Sequence, residues 1–283
     1  MKDKIKETIL QIKGLYYSYT NEKDTLNNIN IDIYKGEKMA VLGSNGAGKS
    51  TFFLNINGVL KPKSGEIIYK GKIITKKDLN ELRKNVGIVF QDADNQIIAS
   101  TVLAEVSFGP MNLKLPKDEV IKRVDEALRY MNISEFKHRP PHYLSGGEKK
   151  RVSIADIIAM KSEVIIFDEP TASLDPLNAE MLEEVLNKLS SENKTMIIST
   201  HDVDFAYRWA DRIVVFSDGM IIGDGTPLEI FSSEEILKNA NLKRPVMLDV
   251  YETLLKSNVL KGDEISYPKN IDEFKTMFDK SVF

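Results

Sequence analysis

Gly43-Ser44-Asn45-Gly46-Ala47-Gly48-Lys49-Ser50 decides the fold, because it fits G-x-x-x-x-G-K-[ST], the pattern of a phosphate-cradling loop. Before it, Met39-Ala40-Val41-Leu42 is a short apolar run of the kind a buried parallel strand shows. After it, Lys49-Ser50-Thr51-Phe52-Phe53-Leu54 reads as the first turns of a helix. The glycines let the backbone turn back and bring its N–H groups close to phosphate oxygens, where a Cβ would clash. Those N–H groups and the helix N-terminus offer fixed partial positive charge to an anion. Lys49 is expected on the β- and γ-phosphates and the Ser50 hydroxyl on Mg²⁺.

Two further motifs carry chemistry. In Val164-Ile165-Ile166-Phe167-Asp168-Glu169, four apolar residues predict a strand buried on both faces, with two carboxylates at its C-terminal end. Ligands of open α/β sheets sit outside those ends. Asp168 can hold Mg²⁺ through water, since Mg²⁺ gives up its hydration reluctantly. Glu169, one residue farther, is placed to take a proton from an attacking water. Leu144-Ser145-Gly146-Gly147-Glu148-Lys149-Lys150-Arg151 is the third motif, a serine and two glycines opening a helix, hence a second anion-binding N-terminus.

The rest of the chain supplies a frame. With 283 residues it suits one large domain plus an appendage. Lys+Arg 39 against Asp+Glu 42 leaves a net charge of −3, so bulk electrostatics do not favour nucleic acid. The lack of cysteine excludes disulfides and thiolate metal sites and agrees with a reducing compartment. No apolar run approaches the roughly 18 residues that span a bilayer. Met1-Lys2-Asp3-Lys4-Ile5-Lys6 is not followed by the apolar stretch of a secretion signal, so any membrane role is expected to be peripheral.

Strand-like and helical segments alternate, which predicts an α/β fold. Residues 9–17 and 26–34 alternate apolar and polar side chains and read as half-exposed antiparallel strands; 66–69, 86–90, 164–167, 196–199 and 213–216 complete the set. Val120, Val124, Leu128 and Met131 share one face of a helix beginning near Pro116. Pro140-Pro141 punctuates the chain before the helix at Gly146, and a turn at Gly223-Asp224-Gly225 is expected to end the strand-rich part. Trp209, with Phe205 and Val203 before it at helical spacing, reads as core; His138 and His142 read as loop residues.

In this order and spacing, the motifs resemble the ATP-binding subunits of ABC transporters over roughly residues 8–225. The resemblance implies an α/β P-loop NTPase core over 1–225 with an antiparallel β subdomain and a helical signature subdomain at about 92–160. A small, mostly helical C-terminal extension would follow at 226–283. ATP is the implied substrate and Mg²⁺ the cofactor. Tyr19 looks like the aromatic that stacks on adenine, with an edge-strand aromatic as its plain alternative. Thr51 joins residues 43–50 in the implied ATP site. Gln91 looks like the Q-loop residue, holding Mg²⁺ with Ser50 and Asp168 and acting in catalysis with Glu169. Ser173-Leu174-Asp175 looks like the D-loop, and His201 like the switch histidine. In that family two subunits pack head to tail, so Ser145, Gly146, Gly147, Glu148 and Asp175 are expected on the ATP of the opposite subunit. Ser44 stands where these proteins often carry proline, which alters loop stiffness and leaves the chemistry intact.

A finer resemblance lies in Phe90-Gln91-Asp92-Ala93-Asp94-Asn95-Gln96-Ile97-Ile98 and in the stretch from Thr101 to Pro116. These are similar to the energy-coupling-factor ATPases, especially the CbiO type of cobalt and nickel importers and the related vitamin importers. Such a subunit works at the cytoplasmic face of the membrane. Its implied partners are a second identical or paralogous ATPase and integral membrane energy-coupling and substrate-binding subunits; no nucleic acid is implied. The cargo stays open between cobalt, nickel and a vitamin, and three histidines without cysteine make no first-row metal cluster here. A soluble ABC ATPase, such as an Fe–S assembly factor, is the alternative of another class. Repair ATPases insert a long coiled coil, which the 54 positions from Gln91 to Ser145 (145 − 91) do not hold. Ile97, Ile98, Val102, Leu103, Val106, Phe108 and the segment up to Met111 are either a docking surface for a membrane subunit's helix or the packing of the helical subdomain. The tail from Thr226, with Ile230, Ile236, Met247, Val250 and Leu254 at helical spacing, is either a dimerisation element or a cover for the chain's own sheet.

Overall fold

Alternating apolar residues build the first two strands, β1 (Thr8–Tyr17) and β2 (Leu26–Tyr34), which pair antiparallel with Ile12 opposite Ile31. β3 (Lys38–Leu42) leads through the glycine loop into α1 (Lys49–Ile56). β4 (Ser64–Tyr69) and the two-residue β5 (Lys72–Ile73) add to the free side of β1, giving an antiparallel sheet ordered β2-β1-β4-β5. The computed structural model describes residues 6–20, 24–172, 174–257, 259 and 267–281.

α2 (Leu79–Asn85) precedes β6 (Val86–Val89), after which the chain leaves the sheet. α3 (Val102–Asn112), α4 (Lys117–Tyr130) and α5 (Gly146–Met160) pack on one another as the helical subdomain. β7 (Val164–Asp168), α6 (Pro176–Ser191), β8 (Thr195–Ser199), α7 (Val203–Trp209), β9 (Arg212–Ser217) and β10 (Met220–Gly225) return to it. The second sheet is ordered β10-β9-β3-β8-β7-β6, parallel except for β10 at its edge.

The central strands are buried on both faces, and each face feeds a different core. Met39 and Val41 point into a cluster with α1 (Phe52, Phe53, Ile56) and the antiparallel sheet. Ala40 and Leu42 point into the other cluster, with Val106, Val124, Val152 and Leu186 of the helices. Ile166 and Phe167 of β7, like Ile197 and Ile198 of β8, divide in the same way. Trp209 is buried and stacks on Phe205, ring centroids 5.5 Å apart.

Three expectations change. The turn expected at Gly223–Gly225 is strand: these residues pair with Val215, Val214 and Ile213 as part of β10. The reversal falls earlier, at Asp218-Gly219, both in the left-handed region (φ 45° and 76°), a pairing typical of tight hairpins. Gly223 is small for a packing reason, since a Cβ there would lie 3.0 Å from Ile236 Cδ1 and 3.1 Å from Ile230 Cδ1. The apolar stretch after Gln91 divides. Val102 and Val106 are wholly buried, whereas Ile98, Phe108 and Met111 are 75, 53 and 63% exposed. The tail divides too. α8 (Pro227–Ser232) and α9 (Glu234–Ala240) send Ile230, Phe231, Leu237 and Ala240 into the core, and α10 (Val246–Lys256) adds Leu248. Val246 and Val250 of α10 and Ile271 of α11 (Ile271–Ser281) stay exposed.

Candidate active site

The loop geometry follows from its glycines. Gly43 has φ 140°, and a Cβ there would collide with the carbonyl oxygen of Phe216 on β9. Gly46 also has positive φ (82°), but a Cβ on it would meet nothing within 4 Å, so the loop is pinned on its sheet side and open on the other. Ala47 N–H donates to Ser44 O at 3.2 Å and closes the turn, with Asn45 between them. Gly48 then caps α1, and Ser50 stands exposed in its first turn. Lys49 is buried; its Nζ donates to Gly43 O (2.8 Å) and Ser44 O (3.1 Å) of its own loop. Burial holds its ammonium below the usual lysine range, while Glu169 and Asp168 pull the other way.

Strand register supplies the carboxylates. Asp168 ends β7 opposite Ser199, which ends β8. The Ser199 hydroxyl donates to Asp168 Oδ1 at 2.6 Å and accepts from Glu169 N–H at 2.8 Å. Glu169 lies in the left-handed region, φ 45°, which costs a residue with a Cβ about 1–2 kcal/mol. The bond to Ser199 helps to hold it there. The Glu169 carboxylate is then the meeting point of the site. His201 Nε2 lies 2.6 Å and Lys49 Nζ 3.9 Å from Oε1, and Gln91 Nε2 donates to Oε2 at 3.2 Å.

Tyr19 stands beside α1. It is 61% exposed, its hydroxyl is 3.2 Å from Thr51 Oγ1, and its ring meets Tyr17 edge-on at 5.0 Å. Ser50, Asp168 and Gln91 offer hydroxyl, carboxylate and carboxamide oxygens, a hard donor set that suits Mg²⁺. Among the described residues no group of three or more His, Cys, Asp or Glu forms a cage.

The signature residues form a separate group. Ser145 and Glu148 cap α5 reciprocally: Glu148 N–H donates to Ser145 Oγ at 3.3 Å and Ser145 N–H to Glu148 Oε2 at 2.7 Å. That backbone bond holds the Glu148 carboxyl below its ordinary range. Asp175 caps α6, accepting from Asn178 N–H at 2.9 Å and Nδ2 at 2.6 Å. The two helix starts touch, because a Cβ on Gly147 would fall 2.8 Å from Asn178 Cγ; Gly146 faces open space. Among the described residues no hydrogen bond or ion pair joins Ser145–Glu148 to the glycine loop; Ser173 lies outside them.

Sequence reasoning passed over two residues. Ser199 looked like the end of an apolar strand, and only its register opposite Asp168 shows its use. Lys150 stands in the signature stretch without an evident role, yet it is buried and donates to the carbonyls of Phe90 and Gln91.

The chain is similar to known proteins over most of its length. The profile of the ABC transporter family matches residues 26–172. The energy-coupling factor transporter ATP-binding protein EcfA of Methanocaldococcus jannaschii is 50% identical over 252 residues, 88% of this chain and 90% of that protein. CbiO1 of Clostridium perfringens, part of the ABC transporter complex CbiONQ, superposes with a TM-score of 0.73 at 42% identity, covering 88% of this chain and 99% of that one. An ATP-binding cassette solved as a dimer in a post-hydrolysis state, bound to ADP and Pi, gives 0.70 at 30% identity over 77% of this chain and 99% of that one.

Proposed function

The chain belongs to the ATP-binding subunits of ABC transporters, as an energy-coupling-factor ATPase that hydrolyses ATP to drive transport, and from there we propose that its cargo is a cobalt or nickel ion. The likeness to CbiO1 of the CbiONQ complex supports that cargo over a vitamin, the second reading. A separate membrane subunit selects the ion in this reading; among the described residues no group of three or more His, Cys, Asp or Glu is placed to hold one. Integral membrane subunits complete the transporter and hold this one at the cytoplasmic face, a reading supported by the likeness to CbiO1, itself part of a CbiONQ complex; no helix among the described residues is long and apolar enough to cross a membrane.

The observation that carries the site assignment is the convergence of Lys49, Gln91 and His201 on the Glu169 carboxylate at the end of β7. Backbone N–H groups of residues 43–51 bind the phosphates, and Tyr19 stacks on the base. Lys49 exchanges its loop carbonyls for phosphate oxygens. Mg²⁺, held by Ser50, Asp168 and Gln91, would neutralise charge on the phosphates. Glu169 accepts the proton of the attacking water, with His201 orienting it. The exposed caps at Ser145–Glu148 and Asp175 meet the ATP of a second subunit, as the dimeric cassette supports. The outward residues of α10 and α11 hold the two subunits together. Ile98, Phe108 and Met111 form the apolar patch that receives a membrane subunit. Uptake of labelled cobalt and nickel by the chain assembled with its membrane subunits tests the cargo. Vitamin uptake without ion uptake turns the assignment to the second reading.

A further inference from the structure

The Q-loop is fastened to the signature helix by side chains that none of the roles above uses. Lys150 on α5 is 4% exposed, and its Nζ donates to Phe90 O at 2.7 Å and Gln91 O at 2.8 Å. An ammonium has three N–H donors and no acceptor, so two backbone carbonyls are partners it satisfies well. Its neighbour Lys149 reaches Asp94 Oδ1 at 2.6 Å. Gln96 closes the same segment, accepting from Phe90 N–H at 3.1 Å and donating to Ser153 O of α5 at 3.2 Å. Thus the backbone that carries Gln91 is tied at three points to the helix that Ser145 opens.

We propose that Lys150 is a positioning residue, whose bonds to the Phe90 and Gln91 carbonyls make the Q-loop and the signature helix one moving part. On one side it sets the reach of Gln91 toward Glu169. On the other it carries any displacement of Gln91 into the face that α5 presents to a second subunit. A subunit's own catalytic loop thereby helps to set how it engages its neighbour's nucleotide. The inference rests on Gln91 acting at the nucleotide, as read above. Of the three links, Lys150 is the one that holds two consecutive carbonyls, those of Phe90 and Gln91 just after β6, so it fixes direction as well as distance.

The test is a double-mutant cycle in steady-state ATPase assays on the intact chain. Lys150→Met keeps the apolar stem and removes the donors. Its kcat is expected to fall on the order of tenfold or more while KM for ATP changes little, the mark of misplaced catalytic geometry. Lys150→Arg, which keeps charge and donors, is expected to recover most of the loss. Gln91→Ala is expected to be slow, and adding Lys150→Met to it should cost little more, because the lysine acts through Gln91. Wild-type kcat in Lys150→Met, or losses that simply multiply in the double variant, overturns the inference. Should Lys150→Met melt below the assay temperature, Lys150→Gln, too short to span both carbonyls, takes its place in the cycle. A Gln91→Ala protein with wild-type turnover removes the role of Gln91 itself; a slow Gln91→Ala beside a wild-type Lys150→Met removes only the clamp.

Discussion

Glu169 shows how much a single residue owes to its backbone. Its left-handed φ and the bond from its N–H to Ser199 aim the carboxylate across the strand ends, where His201 and Gln91 reach it. Glu169→Gln is expected to leave ATP binding intact and to slow hydrolysis by roughly 10²–10⁴. Turnover assays beside nucleotide binding check this, and wild-type turnover would return the role to another group. Stacking on a purine is worth about 1–3 kcal/mol, so Tyr19→Ala should weaken ATP binding by about that amount. Tyr19→Phe loses only the hydroxyl's contact with Thr51 and should bind nearly as well. Equal affinity in all three proteins would leave Tyr19 a plain edge aromatic. At this scale the sequence was most legible where chemistry constrains residue type: Gly43, Lys49, Asp168 and Glu169 could be read from spacing. Ser199 and Lys150 could not, because their partners lie 31 and 60 positions away in the chain.

Among the elements, α5 and α3 meet over an ionisable pair that the fold has not fully paired. Asp156 of α5 has one carboxylate oxygen closed to solvent and without a hydrogen-bond partner, and Glu105 of α3 is buried nearby. Burial, with the charge of Glu105 adding, pushes the Asp156 carboxyl up to about 7, against opposing hydrogen bonds from Gln96 and Gly109. A carboxyl whose folded pKa is raised helps stability below its unfolded value and loses that help as pH rises toward the folded one. Asp156→Asn removes this titration. Its thermal stability relative to wild type should therefore improve between about pH 5 and about pH 8. Melting curves at both pH values decide it, and a difference that does not move with pH would place the cost elsewhere. Element type was readable wherever one period ran uninterrupted, as in α4 and β7. It failed at β10, because glycine spacing that reads as a turn also serves a strand on which Ile230 and Ile236 must lie close. The patch after Gln91 could not be divided by sequence, since Val102 and Phe108 differ only in the face of α3 they occupy.

On the scale of the whole molecule the tail has two faces. Leu248 and Tyr251 of α10 are buried, so removing α10 outright would open the core. Val246 and Val250 are 64 and 44% exposed on the same helix and can be altered without that damage. Val246→Glu with Val250→Glu is expected to yield a monomer in sedimentation without ATP, with melting temperature near wild type. A variant that stays dimeric would assign the extension to covering its own sheet. The division of the core has a consequence of another kind. Each central strand sends alternate side chains to opposite clusters, and among the described residues no apolar side chain belongs to both. Substitutions on opposite sides of that wall, such as Phe53 on one and Val152 on the other, should have stability effects that add, whereas neighbours within one cluster couple. The helical lobe can therefore drift, substitution by substitution, to follow a changing transporter while the packing beneath the phosphate loop is left as it was.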